Sequence, residues 1–387
     1  MMRSEGRILT THAGSLPRPK ALVEMLVRVS HREPVDQAAF DSLAEDATVQ
    51  AVKRQAEVGI DVGNNGEQSR ESFFTYVQHR MSGFSGRSSR PIMKDILHFP
   101  SFVELRLPDF SKTMVSLLDG PRATGEVTYA NRAPLEKECA DFRRILKAEG
   151  DPFTEPFITA PSPGIIACAM QNDHYARFED YVLALADAMR VEYEHIVGQG
   201  FLLQLDCPDL AMERHTAFAD RPLAEFLDFL ELTIAAINHA LEKIPRDRVR
   251  MHVCWGNYEA PHHFDVGLEE ILPRLYKARV GALVLSMANP RHAHEHRCLR
   301  EHPLPDDFLL VAGVIDTTTN YVEHPVLVAD RIEQAARAIG DPERVLAGTD
   351  CGFVTVVGLG EVVEEVVWEK LRALRDGADI AGRRLFG

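Results

Sequence analysis

Short runs of apolar and β-branched residues recur along the chain, and each run ends in Gly, Asn, Asp, Cys or Pro. Runs of this length with such endings are typical of buried strands. The predicted strands are residues 7–11, 59–63, 156–161, 201–205, 248–254, 282–287, 308–315 and 344–348. Segments with helical spacing lie between them, for example 181–198, 223–243 and 324–339. Strand and helix are therefore predicted to alternate through eight units.

Eight βα units favour a closed (β/α)8 TIM barrel over an open doubly wound sheet, because no G-x-G-x-x-G follows the first predicted strand. The pattern breaks at residues 84–150, where we expect two further strands at 102–107 and 126–129. We interpret 84–150 as an insertion after the second unit of a single barrel domain that spans residues 1–387.

Composition narrows the classes of partner. The net charge of −15 disfavours nucleic acid, whose phosphates require clustered Lys and Arg. No apolar run approaches the ~18 residues of a membrane span, and the N-terminus lacks a secretory apolar stretch, so we expect a cytoplasmic enzyme without a membrane partner. Six scattered cysteines in so long a chain predict free thiols or metal ligands rather than disulfides. A homo-oligomer is compatible with the sequence.

Reactive side chains follow several of the predicted strands. In a barrel of this type the carboxyl ends of the strands meet at one mouth, where catalytic groups are found. The groups that follow the predicted strands are Glu67, Asp206 with Cys207, His252 with Cys254, Asp316, and Asp350 with Cys351. We expect them to surround one site.

The pair His252 and Cys254 is the sharpest of these signals. At a spacing of two on a strand, both side chains point to the same face. An isolated H-x-C is more often a core Cys beside a hydrogen-bonded His, but Cys351 at another strand end supplies a third soft ligand. Nitrogen and sulfur donors together select zinc, with iron as the lesser alternative.

Three protein ligands leave a metal position open, which is typical of a catalytic site. Zn²⁺ with two thiolates is neutral, so a thiolate bound from substrate would give a complex of charge −1. Such a sulfur is deprotonated at neutral pH and still rich enough in electrons to attack carbon. The residues therefore predict a zinc enzyme that activates a thiol.

Longer motifs around these residues resemble the catalytic domain of cobalamin-independent methionine synthase, and more closely its short single-barrel relatives, which include epoxyalkane:coenzyme M transferase-like enzymes. The likeness covers most of the chain. The motifs are T-T-H-A-G-S-L-P-R-P at 10–19, G-E-Q-S-R-E at 66–71, Q-L-D-C-P-D-L at 204–210, H-V-C at 252–254, A-N-P-R-H at 288–292, G-V-I-D-T-T-T at 313–319 and T-D-C-G-F at 349–353.

The resemblance implies roles for individual residues. It implies that His252, Cys254 and Cys351 bind Zn²⁺, which holds the acceptor thiol. It also implies that the amino acid part of a homocysteine-like acceptor is held by matching positions near the first, second and fourth strands. These positions are Gly14, Ser15, Glu67 and Asp206. The structural alternatives are a turn at Gly14 and Ser15, and ion-paired or solvated helix starts for the two carboxylates.

The chain departs from the methionine synthase pattern at three places. Ser286 stands where that family has a metal-binding Glu, and Thr317 follows Asp316 where the full-length enzyme has a His. No tryptophan follows the third strand to stack on folate. These losses weaken the case for methyltetrahydrofolate as donor, so the methyl or alkyl donor stays open.

Zinc-dependent S-methylation of a homocysteine-like thiol is the reaction that we expect, and Asp316 is the candidate catalytic acid. The alternatives are an epoxide-opening thiol alkyltransferase of the coenzyme M type, a non-catalytic zinc-stabilised barrel, and a zinc-free decarboxylase. An epoxide-opening enzyme needs an acid for the alkoxide, for which Asp316, Tyr321 or a nearby histidine could serve.

Other polar residues are expected to be structural. Residues 291–296 carry three histidines and are interpreted as the solvated start of a helix, although His292 or Arg291 could reach the mouth. His262, His263 and Glu259 are left without a role, and Cys207 is interpreted as a small residue that fills space at a strand end. Trp255 fits a pocket wall and a packed loop equally well.

Overall fold

The computed structural model describes residues 1–110, 115, 120–358 and 362–387, without the side chains of 106–110. Its strands are β1 Phe84–Ser85, β2 Arg122–Ala123, β3 Phe157–Pro161, β4 Leu202–Asp206, β5 Val249–Val253, β6 Ala282–Ser286, β7 Leu309–Ile315 and β8 Val345–Thr349. Its α-helices are α1 Lys20–Ser30, α2 Gln37–Glu57, α3 Lys94–Leu97, α4 Pro100–Phe110, α5 Ala133–Ala148, α6 Pro163–Ala169, α7 Phe178–Gly198, α8 Leu223–Ala240, α9 Leu268–Leu275, α10 Cys298–Glu301, α11 Pro325–Ile339 and α12 Glu364–Phe386.

Strands β3 to β8 form one parallel sheet in chain order. Each lies within one residue of a predicted strand at both ends, so these six predictions are confirmed. Every residue of the six strands is buried, as expected of a parallel sheet that is covered on both faces. Because the strands are parallel, their carboxyl ends lie at one edge.

The first two predicted strands form only single bridges. Thr10 pairs with Ala347 of β8, and Thr11 pairs with Val62. The Phe157 N–H at the start of β3 donates to the Gly63 carbonyl at 2.9 Å. The predicted strands at 7–11 and 59–63 are therefore too long, in part because a side chain, the Asp61 carboxylate, takes the Thr10 N–H at 2.8 Å.

Apolar side chains from these bridged segments meet those of the sheet in one buried cluster. Its members are Leu9, Val62, Phe157, Leu202, Ala282, Val284, Leu309, Val311 and Leu346. The helices predicted at 181–198, 223–243 and 324–339 are present as α7, α8 and α11, although α8 ends three residues early. No helix in the described part of the chain is long and apolar enough to cross a bilayer.

The segment 84–150 contains a two-stranded antiparallel ribbon of β1 and β2 and the helices α3, α4 and α5. The strand predicted at 102–107 is wrong, because this stretch lies within α4. Pro100 is the first residue of α4, a position where its missing N–H costs nothing. The strand predicted at 126–129 is also wrong, since only Tyr129 forms a bridge, with Met81.

Candidate metal centre and its two pockets

The three predicted ligands converge at the carboxyl edge of the sheet. His252 lies in β5, Cys254 directly follows β5, and Cys351 follows β8. One donor atom from each lies within 4.8 Å of the other two, and all three residues are buried. His252 Nδ1 is buried without a hydrogen-bond partner. Two sulfurs and one orphaned imidazole nitrogen at this spacing fit a zinc ion.

Contact between the two cysteines shifts the pKa values of their thiols in opposite directions. The hydrogen bond from Cys351, followed by the charge of His252, holds the pKa of Cys254 well below its usual range. The same hydrogen bond raises the pKa of Cys351. Burial opposes protonation of His252, but the Cys254 thiolate raises the pKa of that imidazole overall. Cys254 is therefore the thiol that loses its proton more easily, and a thiolate is the form in which cysteine binds a metal.

One pocket opens beside this group, and we call it the acceptor pocket. It has a volume of about 140 Å³, and its wall includes Ser15, Glu67 and Asp206 together with the three candidate ligands. Phe73, Phe74, Pro91, Met93 and Met212 form its apolar side, and Arg90 also lines it. Three of the four predicted substrate residues therefore line the same cavity as the metal group.

The two carboxylates of the acceptor pocket lack full partners. Glu67 Oε1 accepts from the Thr159 hydroxyl at 2.8 Å, whereas its Oε2 is buried without a partner. Asp206 Oδ1 accepts from Gln204 Nε2 at 2.8 Å. Burial raises the pKa of Glu67, and burial raises the pKa of Asp206 to about 8. A cationic ligand group would offset this desolvation.

Gly14 and Ser15 contribute in different ways. A Cβ on Gly14 would lie 2.5 Å from Glu67 Oε1, and Gly14 has a φ of +131°, so this position makes room for the carboxylate. Glu67 itself adopts a φ of +56°, which is unusual outside glycine and marks a constrained position. The Ser15 hydroxyl is buried without a partner and lines the pocket, whereas Gly14 lies behind Glu67.

A second cavity, the outer pocket, has a volume of about 470 Å³. Its lining residues include Trp255, His262, Ser286, Asn289, Arg291, His292, Asp316 to Thr319, Asp350 and Cys351. Gly256, Asn257, Tyr258 and Cys351 line both pockets. The metal group thus lies where the two cavities adjoin.

Asp316 lies in the outer pocket and not in the acceptor pocket. Its Oδ1 accepts from the N–H and the hydroxyl of Thr318, both at 2.8 Å. Tyr321, the alternative acid, is 83% exposed and lies outside both linings. Asp350 connects the end of β8 to the end of β6, because its carboxylate accepts hydrogen bonds from the N–H groups of Met287, Ala288 and Asn289.

Within residues 291–296, Arg291 and His292 line the outer pocket, whereas His294 is exposed. Glu295 is also buried, so the segment is only partly solvated. His292 is 3% exposed, with Nδ1 2.8 Å from Glu295 and Nε2 2.8 Å from Asp265. Burial opposes its charge, but these carboxylates raise its pKa to about 9. Trp255 stacks on the His292 ring at 3.8 Å and also lines the outer pocket, so both interpretations of Trp255 hold.

Cys207 and Ser286 are both buried at the carboxyl ends of strands, β4 and β6 respectively. Cys207 is buried and its thiol contacts the Leu205 carbonyl at 3.7 Å, consistent with a filler outside the metal group. Ser286 is buried at the end of β6, and its hydroxyl donates to the Asp350 carbonyl at 2.8 Å. Nothing in the sequence indicated a separate cluster of Asp95, His215 and Asp265, because its members lie in α3 and in the segments after β4 and β5, with no common spacing.

Known proteins were compared with the chain, and no family model matches it. A methionine synthase of Sulfolobus acidocaldarius is 26% identical over 89% of this chain and 85% of the relative. A 2-hydroxypropyl-CoM lyase of Xanthobacter autotrophicus is 23% identical over 98% of this chain and 96% of the relative. These relatives confirm the resemblance to the cobalamin-independent methionine synthases and their short relatives.

Among solved structures, a B12-independent methionine synthase from Shewanella sp. W3-18-1, in complex with selenomethionine, superposes with a TM-score of 0.73 at 22% identity. The superposition covers 98% of this chain and 99% of that protein. The likeness extends over essentially the whole α/β fold and its parallel sheet.

Proposed function

We propose that the protein is a zinc-dependent transferase that methylates the sulfur of a homocysteine-like thiol. The observation that carries this proposal is the convergence of His252, Cys254 and Cys351 beside a cavity with two incompletely paired carboxylates. The relatives named methionine synthase support the same reaction class.

We also infer that the sheet closes as a (β/α)8 barrel, with 84–150 inserted after the second unit of a single domain. The single bridges at Thr10 and Thr11 and the contact between Gly63 and Phe157 support closure, because together they connect β8 to β3. A closed barrel brings the ends of β5 and β8 to one mouth, as the proposed zinc site requires.

Zinc held by His252, Cys254 and Cys351 would lower the pKa of the acceptor thiol, so that the thiol reacts as a thiolate near neutral pH. The chain's own residues position that thiol. Glu67 and Asp206 would hold the ammonium group of the acceptor between them, which offsets the desolvation of both carboxylates. The Ser15 hydroxyl, buried without a partner, is available to the acceptor carboxylate.

The methyl or alkyl donor would occupy the outer pocket. Asp316 is the proposed acid on this side, since its carboxylate lines the outer pocket near Cys351. Thr318 holds that carboxylate through two hydrogen bonds. Trp255 also lines this pocket, and its ring stacks on His292.

Epoxide opening by a thiol with an anionic tail is the second candidate. It is favoured by the relative named 2-hydroxypropyl-CoM lyase, which aligns with 98% of this chain, and by Arg90 in the wall of the acceptor pocket. Arg90 already pairs with Glu213, and the carboxylates Glu67 and Asp206 disfavour an anionic tail, so methylation of an amino acid thiol is the better fit.

The first experiment measures the zinc content of the full chain and its Cys254→Ser variant, and records zinc-edge absorption spectra with homocysteine or coenzyme M. We expect about one zinc ion at this centre in the wild type and loss of that zinc in the variant. Homocysteine should add one sulfur neighbour to zinc.

Cys298→Ser is the matched control, because Cys298 lies outside both pockets, and it should keep the zinc. A sulfur signal with coenzyme M alone would favour the epoxide-opening enzyme. A wild type without zinc, or a spectrum that no thiol changes, would refute thiol activation at this centre.

A further inference from the structure

A second group of potential metal donors lies outside the zinc centre. Asp95 belongs to α3 in the 84–150 segment, His215 follows β4, and Asp265 follows β5. One donor atom from each lies within 4.8 Å of the other two. The side chains of His215 and Asp265 are 0% and 1% exposed, and Asp95 is fully buried. We call this group the Asp95 cluster.

Two atoms of the Asp95 cluster face each other without forming a hydrogen bond. His215 Nδ1 lies 2.9 Å from Asp265 Oδ1, yet both are buried atoms without a hydrogen-bond partner. The distance between the two atoms suits a hydrogen bond, so it is the angle at the imidazole nitrogen or at the carboxylate oxygen that is unfavourable. Two donors at right angles around an ion, each about 2.1 Å from it, lie about 3 Å apart. The observed separation matches neighbouring ligands of one ion.

The remaining polar atoms of these residues have partners that orient them. His215 Nε2 lies 3.0 Å from the Tyr258 hydroxyl. Asp265 Oδ2 is 3.0 Å from His262 Nδ1 and 2.8 Å from His292 Nε2. Imidazoles and carboxylates that bind metals usually have such outer partners, which fix the ring and the tautomer. The Asp95 cluster is thus braced in the manner of a ligand set.

The surroundings of Asp95 also favour a cation. The Asp95 carboxylate accepts the Ile96 N–H at 2.9 Å and the His262 N–H at 3.0 Å, and the Tyr258 hydroxyl lies 3.2 Å from its Oδ2. Each of these three donor groups is neutral. A fully buried carboxylate with only neutral donors carries a desolvation cost that a bound ion would offset.

We propose that Asp95, His215 and Asp265 bind a divalent first-row metal ion, separate from the ion at the zinc centre. One nitrogen and two carboxylate donors, without sulfur, suit Mn²⁺, Fe²⁺ or Zn²⁺. The ion would clamp the 84–150 segment to the loops after β4 and β5. Because Arg90, Pro91 and Met93 line the acceptor pocket and lie just before Asp95, this clamp would hold the pocket wall in place.

Metal analysis of the full chain tests the proposal. Apo protein is loaded with Mn²⁺ alone, because this ion binds weakly to sulfur ligands such as those of the zinc centre. Bound Mn²⁺ is counted by elemental analysis and electron paramagnetic resonance. We expect about one Mn²⁺ per chain in the wild type and in Cys254→Ser, and none in His215→Gln. His239→Gln, which changes an imidazole paired with Asp187 outside both metal groups, should retain Mn²⁺.

Asp95→Asn is the second variant, to be used if His215→Gln does not fold. It removes the charge of the side chain and keeps its volume. Mn²⁺ binding that is absent in the wild type, or equal in the wild type, His215→Gln and Asp95→Asn, would overturn the proposal. If the proposed zinc centre is wrong, the result is different. The zinc content of wild type and Cys254→Ser would then be the same, while Mn²⁺ binding would be unaffected. The two proposals are therefore tested separately.

Discussion

Glu67 is the residue whose role can be tested most directly. Its Oε2 is buried without a partner, so a bound ammonium group would gain a desolvated ionic contact. Removing one partner of such a pair costs about 2–5 kcal/mol. We expect Glu67→Gln to weaken homocysteine binding to the zinc-loaded protein on the order of 100-fold, as measured by calorimetry.

The control ligand is 4-mercaptobutanoate, which keeps the thiol and the carboxylate but lacks the ammonium group. Its affinity should be nearly the same for wild type and Glu67→Gln. Glu57→Gln, at an exposed position that ends α2, should change neither affinity. Equal weakening of both thiols by Glu67→Gln would mean that this carboxylate supports the pocket without contacting the amino group.

The chemistry of the site was more predictable from sequence than its packing. His252, Cys254 and Cys351 were predicted as a group because the zinc motif and its strand-end positions are local features. The burial of His292 could not be predicted from its own segment, because it depends on Asp265 and Trp255, which are distant in sequence. Contacts between loops leave no periodic signal, and the Asp95 cluster was missed for the same reason.

At the scale of elements, α6 and the loop after β4 are joined by a buried polar contact. Ser162 caps α6 by accepting the Ile165 N–H, and its hydroxyl donates to Asp209 Oδ1 at 2.6 Å. Burial raises the pKa of Asp209 from 3.8 to about 7. The folded state thus favours protonated Asp209, and its stabilising contribution is complete below about pH 4 and is lost as the pH rises through about 7.

This linkage predicts a pH-dependent difference between wild type and Asp209→Asn. The free energy of unfolding of the wild type, relative to the variant, should fall between about pH 4 and about pH 8, by no more than about 4 kcal/mol. Urea unfolding at several pH values measures this difference. Asp228→Asn, at an exposed position on α8, serves as the control and should give a flat difference. A flat difference for Asp209→Asn would contradict the raised pKa.

The strands of the sheet could be predicted from the sequence, whereas helix α4 could not. Strands β3 to β8 are continuous apolar runs that both faces of a covered sheet require, so their positions could be predicted to within a residue. In the segment 102–107 apolar and charged residues alternate over a few positions, which mimics a strand. The structure instead begins a helix at Pro100, a position that proline favours and that a period-two pattern does not take into account.

At the scale of the whole molecule, the C-terminal helix α12 is joined to the outer pocket. Lys370 is fully buried, donates to the Asp316 carbonyl at 3.0 Å and pairs with Glu323 at 2.9 Å. Glu323 in turn accepts the Asp316 N–H at 3.0 Å. The backbone of the proposed acid is therefore fixed by the last helix of the chain.

Lys370→Met should destabilise the protein by about 3–5 kcal/mol, because it leaves Glu323 buried without its cation. The double variant Lys370→Met with Glu323→Gln should recover part of this loss in chemical unfolding. Lys137→Met, which removes an exposed pair with Asp141, should cost less than about 1 kcal/mol. Equal stability of the single and double variants would show that the buried charge is not the cause.

The meeting of the two pockets at Cys351 has a stereochemical consequence. If the acceptor sulfur occupies one cavity and the donor the other, as proposed, the carbon would pass between them in a single displacement. A methyl group made chiral with hydrogen, deuterium and tritium would then emerge with inverted configuration. Retention would instead require two successive displacements and a resting place for the methyl group on the protein.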